Sequence, residues 1–174
     1  LAPTAVNQFQ RTLRGAKFED LTRRGKYLLF SLRARARAAP VTLLGHPGMT
    51  GRFYLTRPTQ PLPKHAAVVF DLKDANLVYE DTRYFGRLTL DASPVARLGP
   101  EPLGSKFTPE YFIGALKRSR QAIKVKLLDQ SLVAGIGNIY ASEALFRARV
   151  SPRRAARNLT ENQVRRLRKA IRRV

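Results

Sequence analysis

Two glycines and an asparagine follow an apolar helical segment in a pattern that suits the binding of an anion. The segment reads Leu127-Leu128-Asp129-Gln130-Ser131-Leu132-Val133-Ala134-Gly135-Ile136-Gly137-Asn138. The glycines allow positive φ and close approach to a partner, and a helix that begins at Asn138 directs free amides at an anion. The Asn138 side chain can donate a further hydrogen bond to a phosphate. In the alternative, a plain helix hairpin, Asn138 only caps the second helix.

Two basic residues of the first half also suit phosphate. Lys26 follows Arg23 and Arg24 and precedes an apolar run, so its ammonium can meet an anion at the start of a strand. His46 opens a glycine-rich turn. In the alternatives without a binding role, Lys26 is a solvated surface cation and His46 only stabilises its own turn.

Two large apolar side chains stand in predicted turns. Met49 is the only methionine and lies between Gly48 and Thr50, whereas Phe85 lies between Tyr84 and Gly86. Composition alone favours core packing for both, although a glycine-rich turn is an odd place for a core methionine.

The charge of the chain indicates a polyanionic partner. Lys and Arg number 33 against 12 Asp and Glu, a net charge of +21, while 44% of the residues are hydrophobic. In a chain that can fold, this excess of positive charge favours nucleic acid as the partner. The alternative is that the charge only forms a solvated surface in a protein rich in arginine. The absence of Cys excludes disulfide scaffolds and Cys-ligated metal sites in these 174 residues, and two His are too few for a His-built metal site. The apolar runs are too short to span a membrane.

Short strands are predicted in the first half. Six runs rich in aromatic and β-branched residues are separated by Gly, Pro, Asp and Asn, at residues 27–32, 41–44, 52–55, 67–72, 76–80 and 87–90. Residues 73–76 read as a hairpin loop. Strands without intervening helices predict an antiparallel sandwich or barrel.

Helices are predicted in the second half. Thr108-Pro109-Glu110 is typical of a helix start, and residues 160–163 form a capping-box pattern. We expect the inward faces to include Tyr111, Ala115 and Leu116; Ala122, Ile123, Leu127 and Leu128; Ile139, Leu145 and Phe146; and Val164, Leu167, Ile171 and Val174. The change of pattern predicts an α+β chain with domains at 1–95 and 96–174.

Residues 127–143 closely resemble the helix–two-turn–helix element of the bacterial formamidopyrimidine-DNA glycosylase family. Five further blocks are similar to that family in order and spacing, namely residues 23–29, 46–52, 64–65, 81–86 and 98–103. The resemblance implies an N-terminal antiparallel β-sandwich, incomplete at its N-terminus, and then an all-α domain with the helix–two-turn–helix element. The sequence departs from the family pattern at Pro47, at Ala67 and in the Thr82-Arg83-Tyr84 run.

The family removes oxidised purines, chiefly 8-oxoguanine and formamidopyrimidines, and nicks the strand by β,δ-elimination. Its nucleophile is an N-terminal proline followed by Glu, and a four-Cys zinc finger closes the chain. Here Thr4 follows Pro3 and Cys is absent. We therefore expect both ends to be cut from a longer protein, zinc only in the full-length protein, and a chain that binds DNA without excising a base.

The resemblance also implies roles for single residues. Lys26 would contact a phosphate and take part in elimination, and Met49, Arg83 and Phe85 would fill the space that a flipped base leaves. The remaining DNA contacts would come from His46, His65, Arg118, Ser119, Arg120 and Asn138. The implied partner is damaged double-stranded DNA, bound by a monomer in the bacterial cytoplasm, associated with the nucleoid and not with a membrane.

Two other classes of protein stay open at this point. A non-catalytic DNA-binding module could reuse the same fold, and an RNA- or ribosome-binding protein would suit the charge. The trio of Met49, Arg83 and Phe85 argues against the last, because it serves no purpose in a protein that does not flip bases.

Overall fold

A computed structural model of the protein describes residues 4–33 and 39–174, so Pro3 lies outside the described residues. The chain forms two compact units, the first ending at Ala92 and the second beginning at Ser93. The first contains the strands and the second is helical. The α+β class and the antiparallel strands are confirmed.

The first unit has one helix and two antiparallel sheets. Strand order is β1-β2-β3-β7 in the larger sheet and β4-β6-β5 in the smaller one. The elements are α1 (Val6–Leu13), β1 (Lys17–Arg24), β2 (Tyr27–Arg33), β3 (Val41–His46), β4 (Arg52–Thr56), β5 (Ala66–Asp71), β6 (Asn76–Glu80) and β7 (Arg87–Thr89).

Helix α1 and strand β1 are not predicted by the sequence pattern. Strand β1 carries five charged residues and is mostly exposed, as suits the edge of a sheet. It forms through its pairing with β2, from Lys17 opposite Arg33 to Arg24 opposite Tyr27. Helix α1 begins without a side-chain cap and has no fully buried residue.

Aromatic residues fill the core of the first unit. Phe30, Leu32 and Leu43 are fully buried, and the Phe53 ring stacks on Tyr79 with centroids 4.6 Å apart. The predicted 73–76 loop is confirmed, because the Leu72 N–H donates to the carbonyl of Ala75 between β5 and β6.

The second unit packs its helices around one larger core. Its elements are α2 (Ser93–Ala96), α3 (Pro109–Lys117), α4 (Ile123–Leu128), α5 (Asn138–Ala148), a 3-10 helix (Ala156–Asn158) and α6 (Glu161–Ile171). Both predicted caps form: Thr108 accepts from the Tyr111 N–H, and Thr160 and Gln163 form a capping box. Each satisfies amides that a helix leaves unpaired.

The predicted inward face of α5 is wrong in part. Ile139 and Phe146 are 77% and 82% exposed, and only Leu145 of that set is buried. The buried residues are Ala141, Ala144, Leu145 and Ala148. These follow the helical repeat, whereas Ile139 and Phe146 fall on the other side of the helix. The larger apolar side chains misled the prediction because small alanines line the real contact.

Two smaller errors concern the inward faces of α3 and α4. Tyr111 and Leu128 are more than a third exposed, and Phe112 and Ile113 are buried in α3 instead. In α6 the predicted face is confirmed, with Val164, Leu167 and Ile171 buried and Val174 packed against the same core.

Candidate nucleic-acid interface

Strand pairing brings two turns of the first unit together. Residues 47–51 connect β3 to β4, and residues 81–86 connect β6 to β7. His46 pairs with Arg87, and Arg52 pairs with Glu80. Both turns therefore leave the paired strands at the same end, and the 47–51 loop must lie beside the 81–86 loop.

Glycines allow these two loops to touch through their backbones. A Cβ on Gly48 would lie 2.8 Å from the Gly86 nitrogen, and Gly48 has φ +67°. A Cβ on Gly86 or Gly51 would overlap the Tyr79 side chain. A larger residue at any of these positions would separate the loops or push Tyr79 out of the core.

The outer side of the loop pair presents Met49, Arg83 and Phe85. Met49 is 72% and Phe85 60% exposed, and the Arg83 guanidinium carbon lies 5.8 Å from the centre of the Phe85 ring. Between them, Tyr84 has φ +54°, a conformation that costs a residue with a side chain about 1 kcal/mol or more. Neither apolar residue enters the core, contrary to what composition alone favoured.

Asp81 lies beneath these loops and was missed by the sequence analysis. It is 1% exposed. Four donors surround its carboxylate, and the Thr50 hydroxyl is the first cause of a pKa lowered to about 2. Burial and the neighbouring carboxylate raise the pKa of Tyr79 to about 12. An Asp two residues before a turn amide is a known turn signal, and the Asp81-Thr82-Arg83 run carries it.

Lys26 and His46 lie near each other beside this loop pair. The Nδ1 of His46 accepts from the Gly48 N–H at 3.1 Å, and its ring packs edge-on against Tyr27. Burial, then the charges of Lys26 and Arg87, lower the pKa of His46. Because Nδ1 accepts a hydrogen bond, the neutral ring carries its proton on Nε2 and can donate it to a ligand. Burial also lowers the pKa of Lys26.

His65 is tied to the same region through its backbone. Its carbonyl accepts from the Asp81 N–H at 3.1 Å, next to the start of β5. Its side chain is partly exposed.

In the second unit, hydrogen bonds hold the glycine loop before α5. Gln130 donates to the carbonyls of Leu128 and Ile136 and accepts from the Gly135 N–H. Lys126 and then Ser131 lower the pKa of Asp129 to about 2. The polar side chains of this loop therefore bond to the loop itself, and these bonds fix where α5 begins.

Gly137, not Asn138, is the N-cap of α5, and it makes no side-chain cap bond. Asn138 is exposed at the first helical position. Its side chain has no hydrogen-bonding partner among residues 4–33 and 39–174. The capping role left open by the sequence is therefore wrong, and the amide is available to a ligand.

In the basic run after α3, two residues are exposed and one forms hydrogen bonds within the turn. Arg118 and Arg120 are exposed. Ser119 accepts from the Gln121 N–H through its hydroxyl and from the Arg157 N–H through its carbonyl. Ser119 therefore shapes the turn that presents the two arginines.

Two family profiles together cover nearly all of this chain. The formamidopyrimidine-DNA glycosylase N-terminal domain matches residues 1–88, and the formamidopyrimidine-DNA glycosylase H2TH domain matches residues 98–174. The chain belongs to the formamidopyrimidine-DNA glycosylase family. Residues 127–143, which the sequence analysis compared with the helix–two-turn–helix element, lie within the second of these matches.

Named formamidopyrimidine-DNA glycosylases are similar along almost all of the chain. The protein of Symbiobacterium thermophilum is 47% identical over 174 residues, covering 95% of this chain and 55% of its own. That of Carboxydothermus hydrogenoformans is 42% identical over 170 residues, covering 98% and 62%. The chain thus spans somewhat more than half the length of these relatives.

Solved structures of the family have the same fold. MutM (Fpg) of Thermus thermophilus is 45% identical with a TM-score of 0.78, covering 91% of this chain and 59% of that one. The Lactococcus lactis enzyme bound to DNA with an AP site is 32% identical with a TM-score of 0.88, covering 98% and 66%. MutM in complex with DNA containing carbocyclic 8-oxo-G is 32% identical with a TM-score of 0.89, covering 98% and 64%. The predicted β-sandwich followed by a helical domain is confirmed.

The resemblance implied a four-Cys zinc site for the full-length protein and none for these 174 residues. The chain has no Cys, and the described residues bring no three His, Asp or Glu together in a metal-binding group. None of the described helices is long and apolar enough to cross a membrane.

Proposed function

We propose that this chain is the DNA-binding part of a glycosylase that removes oxidised purines from double-stranded DNA. The observation that carries the proposal is the exposure of Met49, Arg83 and Phe85 on two loops that touch. A flipped base leaves a gap in the duplex and costs a few kcal/mol to extrude. An apolar wedge and an aromatic ring restore stacking in the gap, and Arg83 can hydrogen-bond the unpaired base opposite.

Lys26, His46 and His65 supply phosphate contacts on the same unit. Lys26 offers an ammonium at the β1–β2 turn, close enough to His46 to lower its pKa. Because its pKa is lowered, Lys26 is also suited to proton transfer during elimination, so we assign it a catalytic role in the elimination step of the full-length protein.

The second unit binds the phosphate backbone at two places. Asn138 donates its amide beside the free N–H groups of α5. Arg118 and Arg120 add charge at the turn that Ser119 shapes. These contacts carry no sequence information and increase affinity for any duplex.

The full-length protein couples base removal to strand nicking by β,δ-elimination and carries one zinc ion. The 174-residue chain binds damaged DNA as a monomer and does not excise a base, because Thr4 after Pro3 does not match the Pro-Glu nucleophile. We place the protein in the bacterial cytoplasm, at the nucleoid.

Duplex binding measured by fluorescence anisotropy tests the proposal. We expect tighter binding to a duplex with a tetrahydrofuran abasic-site analogue than to the intact duplex or a matched RNA duplex. With about six phosphates neutralised, log K should fall with log[salt] at a slope of about −5. Equal affinity for intact and abasic duplexes would reject the gap-filling role, and preference for RNA would favour the ribosomal alternative.

Borohydride trapping tests the expected lack of excision. On an 8-oxoguanine duplex this chain should form no covalent adduct, while a full-length family enzyme run in parallel should form one. An adduct with this chain would show that it holds its own amine nucleophile.

A further inference from the structure

The carboxylate of Asp81 connects the two loops that carry Met49, Arg83 and Phe85. Its Oδ1 accepts from the Thr50 hydroxyl at 2.5 Å and from the Arg83 N–H at 3.2 Å. Its Oδ2 accepts from the Gly86 N–H at 2.8 Å and from the Tyr79 hydroxyl at 3.2 Å. One buried group thus bonds the 47–51 loop, the 81–86 loop and the core beneath them.

The bonded groups stand next to the exposed side chains. Thr50 follows Met49, the Arg83 bond is made by that residue's own N–H, and Gly86 follows Phe85. Each of the three exposed residues is therefore at most one position from an atom that Asp81 holds.

The backbones of the 47–51 and 81–86 loops are packed too closely for one loop to shift along the other. The gap between Gly48 and Gly86 is too small for a Cβ, and the Tyr79 hydroxyl fills the space beneath Gly51 and Gly86. The Asp81 bonds thus act on loops that are already packed together.

We propose that Asp81 is a positioning residue that holds Met49, Arg83 and Phe85 as one preformed wedge for a gap in DNA. This inference rests on the proposed function. Ordering three side chains before binding removes an entropy cost that binding would otherwise meet.

The chemistry of the site requires a carboxylate. All four neighbouring groups point donors at Asp81, and an ionised carboxylate only accepts. Asn would turn an NH₂ group toward one hydroxyl and one backbone N–H. The hydroxyl can reorient and accept from the NH₂ group, but the N–H of Arg83 or Gly86 would be left unpaired in a buried place. Asp81→Asn should therefore loosen one of the two loops while keeping the shape of the side chain.

The test measures the ratio of affinities for the abasic and intact duplexes in the 174-residue chain. We expect Asp81→Asn and Thr50→Val to lower this ratio about tenfold, with intact-duplex affinity unchanged. Thr50→Ser, which keeps the hydroxyl, should retain the wild-type ratio. Asp71→Asn is the matched control, because Asp71 also accepts from a turn amide, that of Lys73, but away from the wedge.

Two further variants separate the inference from the function beneath it. If Met49→Ala and Phe85→Ala lower the ratio but Thr50→Val and Asp81→Asn do not, the positioning role is wrong and the gap-filling role stands. If Met49→Ala and Phe85→Ala change nothing, the gap-filling role fails and the inference fails with it.

An equal loss of affinity for both duplexes in Thr50→Val would show that Asp81 only stabilises the fold. If Asp81→Asn does not fold, Thr50→Val decides, since it removes one hydrogen bond alone.

Discussion

Gly48 and Gly86 meet backbone to backbone, so that a Cβ on Gly48 would lie 2.8 Å from the Gly86 nitrogen. Gly48 also has φ +67°, where side chains are strained. The contact joins two turns that are far apart in the chain, and it sets how closely Met49 and Phe85 approach each other.

Gly48→Ala should destabilise the first unit. The strained φ and the backbone clash together cost about 1–3 kcal/mol in the free energy of unfolding, measured by urea denaturation. Gly114→Ala is the matched control, because a Cβ there meets nothing within 4 Å and the position lies inside α3. That variant should gain about 0.5–1 kcal/mol. Unchanged stability in Gly48→Ala would contradict the close contact.

Acid should destabilise the protein in part through His46. The folded state lowers the pKa of His46 below its ordinary value of 6.5. As the pH falls below 6.5, the unfolded chain therefore takes up the proton first, and the free energy of unfolding decreases until the pH passes the folded pKa. His46→Asn keeps an acceptor for the Gly48 N–H and cannot titrate, so its urea midpoint should fall less between pH 7 and pH 5. Parallel curves for the two proteins would contradict the lowered pKa.

Two adjacent residues of α5 should respond in opposite ways to truncation. Leu145 is 2% exposed and Phe146 is 82% exposed. Leu145→Ala should cost about 2–5 kcal/mol of stability because it leaves a cavity, and Phe146→Ala should stay within about 0.5 kcal/mol. Thermal and urea unfolding followed by circular dichroism measure both. A large loss in Phe146→Ala would restore the inward face that the sequence pattern predicted.

Neutral and charged phosphate contacts should differ in their salt dependence. Asn138→Ala should weaken binding to intact and abasic duplexes by a similar factor of about ten and leave the salt slope unchanged. Arg120→Ala should reduce the slope by about 1, because one fewer counterion is released. Asn162→Ala, an exposed Asn near the start of α6, is the control. A change in the ratio of the two duplex affinities with Asn138→Ala would contradict a pure phosphate contact.

The sequence pattern located the local features that depend on neighbouring residues. Thr108 and Thr160 predicted their caps correctly, because a cap needs only the next three residues. The pattern failed for β1, whose charged residues form a strand only when β2 lies beside them. It failed again on α5, where the contact surface consists of alanines rather than the larger Ile139 and Phe146.

By itself, the amino-acid sequence determined the family blocks, the excess positive charge, the α+β order and the candidate phosphate contacts. Only the tertiary structure decided that Met49, Arg83 and Phe85 share one surface, that Asn138 is not a cap, and that Asp81 lies beneath both loops. The cap of α5 depends on where the backbone turns into the helix, at Gly137. The relationships among Met49, Arg83, Phe85 and Asp81 depend on the pairing of β3 with β7 and of β4 with β6. Strand register pairs residues such as His46 with Arg87 and Arg52 with Glu80, which are far apart in the chain, and no local pattern records it.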